Sequence, residues 1–189
     1  PGAMHVDEAI RRRVSVKEYT DDPVPDETIR ELLELAVLAP NHRMTEPLRF
    51  RVMGEAGKRA YATALAGRKA KNVDDAEVAR DIKDRVVSRT LSVPVMIGVL
   101  VHENQDPEIR EEDYATAFMA IQNLSLAAVG RGLGTHIKTG AVMGEPSLRS
   151  ALNVPDDHRL AALVFLGRPA ETPEPKDRTP AAELTERVR

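Results

Sequence analysis

The clearest periodic signal in the chain lies between residues 26 and 40. Ile29, Leu32, Leu33, Ala36 and Val37 fall at i, i+3, i+4, i+7 and i+8. That spacing makes one apolar stripe along an α-helix. Pro40 ends the pattern, because the residue before a proline avoids the helical region. Ahead of it, "DDPVP" (residues 21–25) reads as a turn, with Asp26 expected to cap the helix. Val78, Ile82 and Val86 recur in steps of four among charged residues, which predicts a surface helix. Residues 55–71 also read as helical despite their glycines. From Tyr114 to Gly132 the chain reads as helical and apolar nearly all round, so this helix is expected at the centre of the molecule. The stretch before it, residues 103–113, reads as a loop.

Strand signals are fewer. Val93–Val101 and Leu160–Gly167 are uncharged, β-rich runs, as expected of strands covered on both faces. "LRFRVM" (residues 48–53) alternates like a strand, and "NHRMTEP" before it reads as a polar loop. Residues 133–145 are punctuated by glycine. Pro146 suits the first turn of a helix through Leu152. At the start, Asp7 is expected to cap a short helix through Arg13, and "VSVKEY" (residues 14–19) reads as extended. From Arg168 onward proline and charge dominate, so residues 168–189 are expected to form an arm or to stay disordered. The expected class is α+β, one domain over residues 4–189, with a small sheet covered by helices. Pro1–Ala3, ahead of Met4, are expected to be an expression remnant.

Composition narrows the chemistry. A hydrophobic content of 42% can fill a real core, and the net charge of -3 argues against nucleic acid as a partner. There is no Cys, which removes disulfides, thiolate nucleophiles and cysteine metal sites and is compatible with a reducing cytoplasm. No apolar run reaches membrane-spanning length, so no membrane partner is expected. The five histidines have no metal-ligand spacing, and there is no GxSxG elbow. "GRGLGT" (residues 130–135) follows a helix rather than a strand, so it reads as a helix end with a left-handed glycine and not as a dinucleotide loop.

Two stretches remain. In "THIKTG", Lys138 and Thr139 could meet an anion or belong to an ordinary loop. His42 could be a functional loop residue or a surface donor. The run "RRRVSVKEY" is richer. Arg11 and Arg12 read as cations at a helix end. Arg13, Ser15 and Lys17 have period-two spacing, so an extended backbone sends all three to one side while Val14 and Val16 pack on the other. Guanidinium, hydroxyl and ammonium together suit a phosphate. Tyr19 would continue that row.

Three segments in order then resemble the motifs of the nitroreductase family: Arg13–Tyr19 with its proline turn, "LAPNHRMTEPLRF" (residues 38–50), and "GLGTHIKTG" (residues 132–140). The resemblance implies a nitroreductase-like fold, a small antiparallel sheet surrounded by helices in an intertwined cytoplasmic homodimer with a C-terminal arm. It implies FMN as cofactor and NAD(P)H as co-substrate. Arg13 and Ser15 would hold the phosphate or ribityl end, with Val14 beside them, and Lys17 would lie near the pyrimidine edge. Ile137, Lys138 and Thr139 would close the phosphate side. His42, with Leu38, would come from the other subunit. The implied activity is ping-pong reduction of a small electron-poor acceptor, a nitroaromatic or quinone. Flavin-dependent dehydrogenation or dehalogenation, or flavin binding without turnover, are the alternatives. Leu48 stands where the family commonly has Trp, and residues 67–84 are a candidate substrate lid.

Overall fold

The computed structural model describes residues 4–188. Six helices run α1 Val6–Arg12, α2 Asp26–Ala36, α3 Glu55–Ala70, α4 Ala76–Leu91, α5 Pro107–Val129 and α6 Pro146–Ala151. Four strands, β1 Leu48–Val52, β2 Val95–His102, β3 Gly134–Lys138 and β4 His158–Gly167, form one antiparallel sheet in the order β1-β2-β4-β3. The α+β class and the small helix-covered sheet are as expected. Pro1–Ala3 lie outside the described residues.

The two uncharged runs sit at the centre of the sheet. Every residue of β2 from Val95 to Val101 is buried, as is β4 from Leu160 to Gly167. Alternate side chains serve two cores. Ile97, Val99, Val164 and Leu166 meet α2 and α5, while Met96, Leu100, Leu163 and Phe165 meet Tyr61, Leu148 and Leu152 of the α3–α6 side. Ala161 is the extra residue of a bulge where Val99 pairs Ala162 and Leu100 pairs Leu160. The α2 stripe is borne out by burial of Ile29, Leu32 and Ala36, but Val37 at its end is exposed. α4 packs on α3 and buries only Thr90, as a surface helix should.

Several boundaries differ from the reading above. Residues 103–113 are not all loop, because α5 starts at Pro107. The Asp106 carboxylate accepts from the Glu108 and Ile109 amides at 2.9 and 3.4 Å, and Pro107 occupies the first turn. The opening turns of α5 are polar, and Glu108 and Glu112 there pair with Arg43 and His42. Residues 134–138, which the glycine pattern predicts to be part of a connection, form strand β3 on the sheet edge. Asp7 and Asp26 do not cap their helices. His5 and Pro25 hold the cap positions without side-chain bonds, and the two aspartates lie in the first turns. Gly132 does take the left-handed conformation, φ 69°, with the Leu133 amide donating to the Ala128 carbonyl at 2.9 Å.

The Asp106 cap gives a direct test. Asp106→Ala should cost about 1 kcal/mol, within the roughly 0.5–2 kcal/mol range for such caps, read as a lower urea midpoint.

Candidate functional site

α1 ends at Arg12, and Arg13 already has extended dihedrals. The segment that follows lies parallel to β3. Ser15 bridges Thr135, and the Val16 amide donates to the Thr135 carbonyl at 2.9 Å. Val16 is buried at 2% exposure, whereas Ser15 and Lys17 face solvent and Arg13 is half-exposed. The alternation therefore sorts Arg13, Ser15 and Lys17 away from the core as the sequence predicts.

These three residues, with Ile10, Arg11 and Val14, line one wall of an open cleft of about 600 Å³. Gln122 of α5 contributes, and the far wall is the arm, from Pro173 through Lys176 with Arg178. Arg11, Arg13, Lys17, Lys176 and Arg178 bring five cations to one cleft. Among the described residues none of them is paired with a carboxylate. Arg11 is thus a cleft residue, while its neighbour Arg12 pairs with Glu8 at 2.9 Å. Val14 also lines the cleft instead of packing wholly behind it. Tyr19 does not continue the row. Its hydroxyl turns back to the Val16 carbonyl at 3.0 Å, its ring packs against the α3-side core, and burial holds its phenol above the usual range.

The arm is anchored where it begins. Pro169 bridges Tyr19, the Thr20 amide donates to Arg168 and the Ala170 amide to Glu18. Lys176 and Arg178 were missed in the sequence reading. Their one signal was a Lys-x-Arg pair in the middle of a proline-rich tail.

The third segment continues past the Lys17 end of the cleft without lining it. The Ser15–Thr135 bridge puts Lys17 beside Ile137. Ile137 packs on the α5-side core and Thr139 is exposed. Lys138 projects to the opposite face, where its Nζ lies 3.2 Å from His136 Nε2 and 5.3 Å from the centre of the Phe165 ring. Burial, then Lys138, Lys17 and Arg89, push His136 down to about 4. An imidazole depressed in this way stabilises the fold fully above its ordinary titration range. That contribution fades as pH falls from about 6.5 toward 4. Thermal melts between pH 8 and 4 should show this loss, and His136→Gln should flatten that part of the profile.

The second segment is held elsewhere. Leu38 is 73% exposed at the end of α2. His42 Nδ1 lies 2.8 Å from Glu112 of α5, and Arg43 reaches Glu108 at 3.1 Å and Glu112 at 3.5 Å. The hydrogen bond from His42, with Arg43 nearby, holds the Glu112 carboxyl below its usual range. Arg43, Met44 and Glu46 all have positive φ. Asn41 accepts from the Glu46 amide at 2.7 Å, and Thr45 donates to buried Asp113, which together hold this turn. Neither Leu38 nor His42 lines the Arg13 cleft of its own chain.

The nitroreductase family model matches residues 10–168. The chain is 36% identical over 173 residues to YfhC of Bacillus subtilis (strain 168), a protein whose name carries the words NAD(P)H nitroreductase. That match covers 90% of this chain and 88% of YfhC. A solved nitroreductase-like family protein from Bacillus cereus superposes with a TM-score of 0.85 at 30% identity, over 100% of this chain and 98% of the other. The FMN and NADPH-dependent nitroreductase NfnB from sphigopyxis sp. strain HMH shares the fold, with a TM-score of 0.79 at 20% identity over 98% and 99% of the two chains. The chain belongs to the nitroreductase family.

Proposed function

We propose that the chain is an FMN-dependent oxidoreductase that takes hydride from NAD(P)H and reduces a small electron-poor acceptor, a nitroaromatic or quinone, in ping-pong order. The observation that carries this reading is the cleft, lined by Ser15 and by five cations that have no carboxylate partner among the described residues, against one acid, Glu174. Such a donor set fits the phosphate of FMN, because charge-assisted hydrogen bonds to phosphate need several convergent N–H and O–H groups. Arg13, Ser15, Lys176 and Arg178 would hold that end. Ile10, Val14 and the prolines of the arm supply apolar surface beside it. When bound, FMN supplies the hydride chemistry, and the protein supplies binding, orientation and electrostatics.

Lys17 stands beyond Ser15 along the same wall. A fixed ammonium there would favour negative charge on the bound ring, an effect that strengthens as water is excluded. No protein nucleophile is required. His42 and Leu38 would complete the site from a second copy of the chain. A homodimer is supported by the exposed apolar side chains Val6 and Ile10 of α1, Leu35 and Val37 at the end of α2, and Met119 of α5. Residues 67–84 would act as a lid, since this stretch at the end of α3 and in the outer part of α4 is largely exposed.

Steady-state oxidation of NADH and NADPH, with nitrobenzene and benzoquinone as acceptors, tests the reading. Acceptor-dependent oxidation with parallel double-reciprocal lines is expected. Intersecting lines would contradict the ping-pong order. Absence of oxidation by the FMN-loaded protein with every acceptor would leave a flavin-binding protein in its place.

A further inference from the structure

The turn that carries His42 is strained, and one face of α5 holds it. Arg43, Met44 and Glu46 have φ of 63°, 50° and 45°, a left-handed conformation that residues with side chains avoid. Such a turn keeps its shape only where its surroundings impose it. Glu108, Glu112, Asp113 and Thr116 fall at i, i+4, i+5 and i+8 of α5, so they share a face of the helix. All four reach the turn. Thr116 donates to the Pro40 carbonyl at 3.0 Å, Glu112 meets His42 at 2.8 Å, Glu108 meets Arg43 at 3.1 Å, and Asp113 accepts from Thr45.

These contacts are unequal. The Glu108 side chain is 71% exposed and that of His42 is 63% exposed. Ion pairs in that setting are screened by water and salt and constrain little. Asp113 is 1% exposed. Its Oδ2 is buried without a hydrogen-bond partner, and Thr45 is the one group bonded to the carboxylate among the described residues. Opening the turn would strand that buried group, which costs more than losing an exposed pair. The Asn41 side chain in turn donates to Thr45 at 3.0 Å and accepts from the Glu46 amide at 2.7 Å. The bonds therefore run from Asp113 through Thr45 to Asn41 and bracket His42 on both sides.

We infer that Asp113 is a positioning residue: anchored in α5, it fixes the turn through Thr45 and Asn41 and so sets where the His42 imidazole stands for the FMN cleft of a second copy. Asp113 does not line the Arg13 cleft of its own chain and acts only through the turn. Its role in cofactor binding rests on the reading that His42 completes that cleft. The anchoring of the turn does not.

The test is a double-mutant cycle of Asp113→Ala and His42→Gln in the full-length apoprotein, read as FMN Kd by fluorescence titration. Each single change should raise Kd about tenfold, and the double variant should bind no more weakly than His42→Gln alone. Effects that multiply, to about a hundredfold, would overturn action through His42. Asp113→Asn keeps an oxygen for Thr45 and should return Kd to near the parent value. Thr45→Val removes the same bond from the turn side, should match Asp113→Ala, and replaces it in the cycle if Asp113→Ala does not fold. A readout independent of flavin is the His42 imidazole NMR signal, assigned by its loss in His42→Gln. A signal displaced in Asp113→Ala and Thr45→Val and restored in Asp113→Asn supports the positioning role, and a signal unmoved in both overturns it. If the parent binds no FMN, a displaced signal keeps the positioning role and removes the cofactor reading instead.

Discussion

Arg13→Ala is expected to weaken FMN binding by about 1.5–3 kcal/mol, roughly 10- to 150-fold in Kd. Arg13 is the first residue past the end of α1, half-exposed on the cleft wall, and no carboxylate satisfies it in the described residues. Its guanidinium is therefore free to make charge-assisted bonds to a phosphate, and truncation removes them without disturbing the core. Fluorescence titration of apoprotein with FMN measures the effect. Arg12→Ala is the matched control, because Arg12 pairs with Glu8 and points away from the cleft. An Arg13→Ala Kd equal to that of the parent would remove Arg13 from the site.

Gly134→Ala is expected to damage fold and site together. A Cβ at Gly134 would overlap the Val16 Cγ2 methyl and lie 2.9 Å from Val16 Cβ and 3.0 Å from Pro169. Val16 is buried at 2% exposure and bonded to Thr135, so it has little room to yield. The extended segment must move off β3, carrying Arg13, Ser15 and Lys17 with it. Overpacking of this kind costs about 1–3 kcal/mol, which for a chain of this size lowers Tm by roughly 2–12 °C. FMN affinity should fall in the same variant. Gly67→Ala is the counterpart. Nothing lies within 4 Å of a Cβ there, and the residue sits inside α3. That change should raise stability by about 0.5–1 kcal/mol. A melt in which Gly134→Ala is as stable as Gly67→Ala would contradict the close packing of residues 13–17 on β3.

The parts of the fold legible in the sequence are those whose pattern is complete within one segment. The α2 stripe, the surface period of α4 and the uncharged runs of β2 and β4 each announce their own environment. α5 was legible only in its apolar half. Its first turns carry Glu108 and Glu112, which pair with Arg43 and His42 from a loop about 65 residues earlier. Long-range pairing of that kind leaves no local period. β3 was hidden by Gly134 and the glycines that flank it, yet Gly134 is there because Val16 and Pro169 approach its backbone, a contact visible only once the fold is formed. In the candidate site, alternation alone separated Arg13, Ser15 and Lys17 from Val16. Lys176 and Arg178 could not be placed, since nothing in a proline-rich tail says which surface it crosses. Tyr19 left the row because its ring fills space beside Gly167.

The central claim is that this chain binds FMN in the Arg13 cleft and reduces it with NAD(P)H. The most direct measurement is the visible absorbance spectrum of the purified, FMN-supplemented and desalted protein, before and after anaerobic NADH and NADPH. Retained flavin bands that at least one nucleotide bleaches are the expected result. A colourless protein that retains no added FMN, or bound flavin that neither nucleotide bleaches, would contradict the account.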